Sequence, residues 1–145
     1  MSIDMRVELL WGIDAESMHA AFNAWRSSEY ETHSLWDLNW QDYYAHKCGI
    51  ACGGEGPTDA DYMTRRDEAV AASGCCIGEH GYLTSESFFY AAIAASMQKH
   101  EGPWGFRQFE PVAVQPDWSN RIKRFCEEMG ISWSEPRWRL TACYY

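Results

Sequence analysis

The sequence predicts an α+β fold: a small mixed sheet of about three strands with about five helices, in the order β-α-α-α-α-β-α-β. Three observations carry this prediction. Period-two alternation marks both ends of the chain, helical periodicity fills most of its middle, and a strand–helix–strand pattern closes it.

At the start, Ile3, Met5, Val7 and Leu9 alternate with Asp4, Arg6 and Glu8, as in a half-buried strand. Asp14 then reads as an N-cap, with Met18, Phe22 and Trp25 on one helical face. Ser34 and Asp37 have capping-box spacing ahead of Trp36, Trp40, Tyr43, Tyr44 and Lys47 at helical intervals, although Trp36, Leu38 and Trp40 also alternate. Glycines at 49, 53, 54 and 56 with Pro57 make a loop. Thr58 is expected to cap a third helix that carries Asp59 and Asp61 in its first turn and ends at Gly74.

Residues 75–83 are short and glycine-punctuated. Ser85 is expected to open the most apolar helix, with Phe89, Ile93 and Met97 on one face and Gly102-Pro103 as its stop. A short strand is expected at 109–114 around Val112 and Val114. Trp118, Ile122, Phe125 and Met129 keep 4-3-4 spacing up to Gly130, and Trp138, Leu140, Ala142 and Tyr144 alternate. These last three elements predict a C-terminal β-α-β unit with parallel strands. No linker or repeat divides the chain, so residues 1–145 are expected to form a single domain.

With 46% apolar residues and eight tryptophans, the chain can bury a core despite a net charge of −9. No run approaches a membrane span and the first residues lack a basic-then-apolar leader, so a cytoplasmic protein with no membrane association is expected. The six cysteines match no disulfide framework and read as reduced thiols.

The charge is uneven. Residues 1–61 hold eleven acids and three bases, whereas residues 62–145 hold ten acids and nine bases. Such an acidic front repels nucleic-acid phosphates, so direct nucleic-acid binding is not expected, and it attracts basic partners. Aromatic and acidic residues share this segment, and rings ringed by acids suit docking on a basic surface. The candidate partner-binding set is Glu29, Glu31, Trp36, Asp37, Trp40, Asp42, Tyr43, Glu55, Asp59 and Asp61. The function expected from these features is a small acidic inhibitor that docks on a basic site of another macromolecule, most naturally a nucleic-acid-handling protein. Phage anti-defence proteins such as anti-CRISPR proteins, and immunity proteins against nuclease toxins, act in that manner.

A different chemistry is suggested by thiols and imidazoles. His46, Cys48 and Cys52 form one group, and Cys75, Cys76 and His80 a second. Zinc takes four nitrogen or thiolate ligands in two close pairs, and Cys48, Cys52, Cys75 and His80 are the candidate set. Neither group contains C-x2-C, and buried thiols that merely fill space give the same pattern, so no cofactor is expected unless the groups meet in space. The run Cys48-Gly49-Ile50-Ala51-Cys52 resembles the active-site stretch of papain-like proteases that process bacteriocin leaders. That resemblance covers five residues and implies Cys48 as nucleophile at a helix start, with Gln41 as the nearest glutamine. Gly53, Gly54 and Pro57 stand where the family has an apolar helix. A thiol-dependent enzyme or zinc-stabilised domain built on residues 46–80 is therefore the alternative to a binding protein.

Overall fold

A computed structural model describes residues 5–32, 38–52, 56–80, 88–102, 109–110 and 112–144. The N-terminal alternation becomes β1 (Met5–Asp14), followed by a 3-10 turn at Glu16–Met18 and α1 (His19–Thr32). Next come α2 (Trp40–Lys47), α3 (Ala60–Ser73), β2 (Cys75–His80), β3 (Phe88–Ile93) and β4 (Gln98–Gly102). The chain closes with α4 (Trp118–Met129) and β5 (Arg137–Tyr144). The fold is α+β, but among the described residues it has five strands and four helices rather than about three and five.

Every strand pairing is antiparallel. β5 runs the length of β1, placing Trp138 opposite Trp11, Leu140 opposite Leu9 and Ala142 opposite Val7. At Gly12, β1 also meets Ala92 of β3, and from Met5 to Leu9 it meets β4. A strand has two edges, so β3 and β4 follow one another along the edge of β1 that β5 leaves. The 3-10 turn at Ala94–Ser96 separates them. Ser96 bridges that interruption: its buried hydroxyl accepts from the Trp11 N–H at 2.9 Å and donates to the Ile93 carbonyl at 2.7 Å. The side chain thus supplies the partner that a continuous ladder would have given. β2 lies outside β3, with Cys75 opposite Ile93 and Gly78 opposite Tyr90.

The helices cover one face of this sheet. Trp11, Ile13, Ile77, Phe89 and Ile93 pack there against Met18, Phe22, Tyr43, Tyr44 and the Trp118, Ile122, Phe125 and Met129 stripe of α4. The 4-3-4 spacing works as expected, because those positions fall on one side of a 3.6-residue helix. Gly130 closes α4 in the left-handed conformation, and Gly74 does the same for α3. A second, smaller cluster of Leu10, Tyr90 and Ala92 lies on the opposite face of the sheet, with Cys76 and Met97 against it.

Three expectations are corrected. The helix expected from Ser85 is absent among the described residues, where β3 and β4 stand in its place. Every residue from Phe89 to Ile93 is buried, because β3 is interior and covered on both faces. Such a strand loses its polar alternation, and its apolar run can be read with either period. The described part of 109–114 is irregular, not a strand. Pro111 within it and Pro116 just after it cannot donate to a ladder. Instead, the Gln98 amide donates to the Glu110 carbonyl and accepts from its N–H, both at 2.7 Å. The strand that precedes α4 is β4. β4 and β5 each pair antiparallel with β1, on its opposite edges, so they run parallel to one another with β1 between them, and the expected C-terminal β-α-β unit is a split one that begins at Gln98. The cap of α3 also shifts by one residue, since Asp59 rather than Thr58 accepts from the Tyr62 N–H, at 3.0 Å.

Candidate functional site

The second half of α1, Asp42 and His46 of α2, residues 50–52 and the start of α3 line a pocket of about 160 Å³, with Trp25, Glu29, Cys52 and Tyr62 among its walls. Helix capping positions its floor. Asn39 caps α2 by accepting from the N–H groups of Gln41 at 3.0 Å and Asp42 at 3.2 Å. Asp42 completes a reciprocal capping box, its Oδ2 accepting from the Asn39 N–H at 3.1 Å.

The other carboxylate oxygen of Asp42 turns to α3. Oδ1 accepts from the Tyr62 hydroxyl at 2.8 Å and from Arg66 Nη1 at 2.9 Å. Tyr62 and Arg66 are one helical turn apart, so a single face of α3 presents both donors. The Arg66 guanidinium also lies 5.9 Å from the centroid of the Tyr62 ring and donates from Nε to Asp67 at 3.0 Å. The Asp42 side chain is 1% exposed and that of Arg66 12%. This is an interior ion pair with its remaining hydrogen bonds satisfied, the condition under which a buried charge is tolerated.

The expected docking set divides accordingly. Asp42 and Tyr43 are buried at 2% exposure and cannot meet a partner. Tyr43 packs edge-on to Phe22 and tilted against Trp25, with ring centroids 5.5 and 5.2 Å away. Trp40 is half-buried, its ring edge-on to Phe125 at 6.3 Å. The cause is placement: α2 contacts α1, α3 and α4, so nearly every side of it faces protein. A helix that is aromatic all round is interior for that reason. Glu29 lines the pocket, Asp61 is exposed and Asp59 is half-exposed as the cap of α3. Trp36, Asp37, Glu55 and the side chain of Glu31 lie outside the described residues.

Several acids of the front half serve the fold. Glu8 is 4% exposed and accepts from the Tyr90 hydroxyl. Asp14 accepts from the Glu16 N–H at 2.7 Å, and Glu16 reaches the Phe89 N–H at 2.8 Å. With Asp42 and Asp59, these carboxylates satisfy donors that would otherwise lack partners.

The thiols are dispersed. Cys48 is the C-cap of α2, at its end and not at the start of a helix as the protease resemblance implies. Its Sγ faces Glu128 Oε2 at 3.9 Å, beside a Tyr44 hydroxyl that donates to the same oxygen at 2.6 Å. Cys52 lines the pocket. Cys75 is buried on the helix side of β2, whereas Cys76 packs on the other side, 3.1 Å from the Met97 sulfur. Adjacent strand residues point to opposite faces, so the pair cannot share an ion. The side chain of His80 lies outside the described residues. Among the described residues no group of three or more His, Cys, Asp or Glu could hold a metal, and the zinc set Cys48, Cys52 and Cys75 does not assemble.

Neither Cys52 nor Cys48 is activated. Burial pushes Cys52 above its ordinary value; the Tyr62 hydroxyl offsets part of this, and the charges of Asp42 and Glu29 add to it. Burial likewise raises Cys48, with Tyr44 opposing and Glu128 adding. A nucleophilic thiol needs the opposite surroundings.

The interior groups predict a pH dependence. Burial raises Cys75 and Cys76 to about 12 and Cys126 to about 11. Tyr44, Tyr62 and Tyr90 are raised as well, by burial first and then by hydrogen bonds to Glu128, Asp42 and Glu8. All six bind protons more tightly folded than unfolded. Their contribution is therefore complete below the unfolded thiol value of 9.0 and is lost as pH rises toward the folded values. Urea unfolding followed by circular dichroism should show level stability up to about pH 8.5, then a fall of a few kcal/mol by about pH 10.5. Unchanged stability at the higher pH would contradict this account of the interior.

No protein-family model, curated protein or solved structure matches this chain. No helix among the described residues is long and apolar enough to cross a membrane. Tyr62, Arg66 and Trp25 were not legible as site residues. The one available signal was that Tyr62 and Arg66 stand a helical turn apart directly after a capping aspartate.

Proposed function

We propose that the protein is a small acidic binding protein that docks on the basic site of a partner macromolecule and blocks it, in the manner of anti-defence proteins such as anti-CRISPR proteins, or of immunity proteins against nuclease toxins. One observation carries the reading: the pocket wall holds Glu29, and the adjoining start of α3 presents Asp59 and Asp61 to solvent. The sequence has no lysine or arginine from Cys48 to Thr64. A carboxylate-rich patch accelerates encounter with a basic surface and repels phosphate backbones. The partner is accordingly a protein with a basic surface of the sort that handles nucleic acid, not the nucleic acid itself. The docking face is acidic more than aromatic, because Tyr43 and Asp42 belong to the interior. The protonated, carboxylate-flanked thiols favour this reading over thiol catalysis.

The test is a matched pair of charge variants in a pull-down from the native host, with the captured protein identified by mass spectrometry and then purified for affinity measurement. Glu29→Lys with Asp59→Asn and Asp61→Lys should weaken binding by at least about 10-fold, while keeping a side chain that caps α3. Glu110→Gln with Glu127→Lys and Glu135→Lys changes net charge equally, and none of these residues lines the pocket. That control should bind nearly as the parent does, and raising salt from 50 to 500 mM should weaken the parent steeply. Equal losses in both variants, or affinity indifferent to salt, would sink the docking reading.

A further inference from the structure

We infer that the sheet face carrying Trp138 and Leu140 binds a second copy of this chain in a weak two-fold dimer; this surface is separate from the docking patch. Strand geometry creates it. Alternate residues of a strand share a face, so Leu9 lies on the same side as Trp11 and Ile13, which the helices cover. The register puts Trp138 opposite Trp11 and Leu140 opposite Leu9. α4 covers Trp11 through Trp118, whose ring lies 5.8 Å away. Beyond that ring the two strands run on. Leu140 is left 65% exposed, more than any other large apolar side chain among the described residues. Trp138 is 39% exposed, and Ala142 is exposed as well.

The same face carries a hollow of about 310 Å³, walled by Leu9, Phe109, Glu110, Val112 and Trp138. Its far wall is held in place. The Gln98 amide fixes the Glu110 backbone through two hydrogen bonds, and the Phe109 ring rests 4.9 Å from that of His100. Gln98 and His100 stand opposite Leu9 and Val7 in the register, so β4 anchors the wall to this face. Leu140 therefore projects beside a preformed, mainly apolar hollow, and its cross-strand neighbour Leu9 is part of the wall.

Three features identify the occupant as a second copy. A projection and a hollow side by side on one surface are self-complementary, because a two-fold axis between them seats each Leu140 in the hollow of the other molecule. Glu110 is the one charged residue of the wall, and a molecule of net charge −9 needs such a weakly charged face for a like-charged copy to settle on. A basic partner steered by Glu29, Asp59 and Asp61 gains nothing there, since none of those residues lines the hollow. The area also fits. Exposed apolar patches of a few hundred Å² mark interaction sites, and one such patch from each copy stays below the roughly 1,200 Å² of a stable complex. Dissociation in the range of roughly 10–100 µM is expected.

Sedimentation equilibrium of the full chain, kept reduced so that no disulfide links two copies, tests this from about 5 to about 500 µM. The parent should follow a monomer–dimer equilibrium. Leu140→Lys at the projection and Val112→Lys in the hollow should each weaken it at least about 10-fold, because a lysine ammonium is costly to bury there. Both substitutions lower the net negative charge, so general repulsion cannot produce the loss. Leu140 and Val112 are 65% and 36% exposed, and the melting curves of both variants should match the parent. Trp133→Ser, at an exposed ring that does not line the hollow, should associate as the parent does. A parent that stays monomeric at about 500 µM, growth past the dimer, or association unchanged in Leu140→Lys overturns the inference. So does a monomeric parent that binds the apolar dye 1-anilinonaphthalene-8-sulfonate and loses it in Leu140→Lys, which assigns the hollow to a small ligand. Loss of the host partner in Leu140→Lys from a monomeric parent assigns the face to docking instead. The Glu29/Asp59/Asp61 variant should dimerise at least as well as the parent, so failure of docking and failure of self-association are read separately; a monomeric variant would place the interface on α3.

Discussion

Replacing Asp42 with alanine is expected to cost about 3–5 kcal/mol. The carboxylate is reached by three donors: the Asn39 N–H, the Tyr62 hydroxyl and Arg66. Its removal leaves the Arg66 guanidinium, 12% exposed, without its interior counter-charge. The guanidinium keeps Asp67, but that carboxylate is 61% exposed and offsets little, so the loss of the interior partner accounts for most of the expected cost. Loss of the capping box adds about 1 kcal/mol. In thermal unfolding this corresponds to a fall of roughly 10 °C or more for a domain of this size. The Asp42→Ala/Arg66→Met double variant separates the terms. It should recover a large part of the loss, because no orphan charge remains, while the cap stays broken. A single variant that melts within 2 °C of the parent would mean that the ion pair is not interior.

The same residue shows what could be read from the sequence. Asp42 was legible as an acid near the start of a helix, yet its partners lie 20 and 24 positions away. Nothing local distinguishes it from Asp61, which remains exposed. Both carry the same charge, and only tertiary packing makes one structural. The rings behave similarly: the periodicity of Trp40, Tyr43 and Tyr44 gave the helix, but its burial follows from contacts with three other helices. The helices with one wet face were legible: α1 and α4 each keep a polar side, so their period survives in the sequence. β1 and β5 were legible from alternation alone, since Glu8, Leu10, Trp11 and Ile13 are all buried in β1 and Leu140 of β5 is 65% exposed. β3 has no wet side, and its five consecutive buried residues carry no period that separates strand from helix. β2 was overlooked because Gly78 interrupts a short run whose strand character depends on pairing with β3.

Gly12→Ala should destabilise the protein by about 3 kcal/mol or more, through backbone geometry that no side-chain adjustment can relieve. Gly12 is the residue at which β1 pairs with β3 on one edge and β5 on the other. A Cβ there would stand 2.1 Å from the Ala91 carbonyl oxygen and 2.9 Å from the Ala92 Cα. Both are main-chain atoms of an interior strand, so β1 and β3 must part to admit a methyl group. Gly78→Ala meets a different obstacle, the Tyr90 ring at 1.9 Å. That ring is held by its hydroxyl on Glu8, so displacing it also costs a buried carboxylate one of its hydrogen bonds. Gly130→Ala is the control: its Cβ meets nothing within 4 Å and only the left-handed backbone, φ +71°, resists it. That substitution should cost about 1 kcal/mol. Denaturant unfolding of the three variants should therefore rank Gly12 and Gly78 well above Gly130. If Gly12→Ala proves as mild as Gly130→Ala, β3 does not cross β1 as closely as the sheet requires. The registry that places Trp11 and Ile13 against the helices would then have to be redrawn.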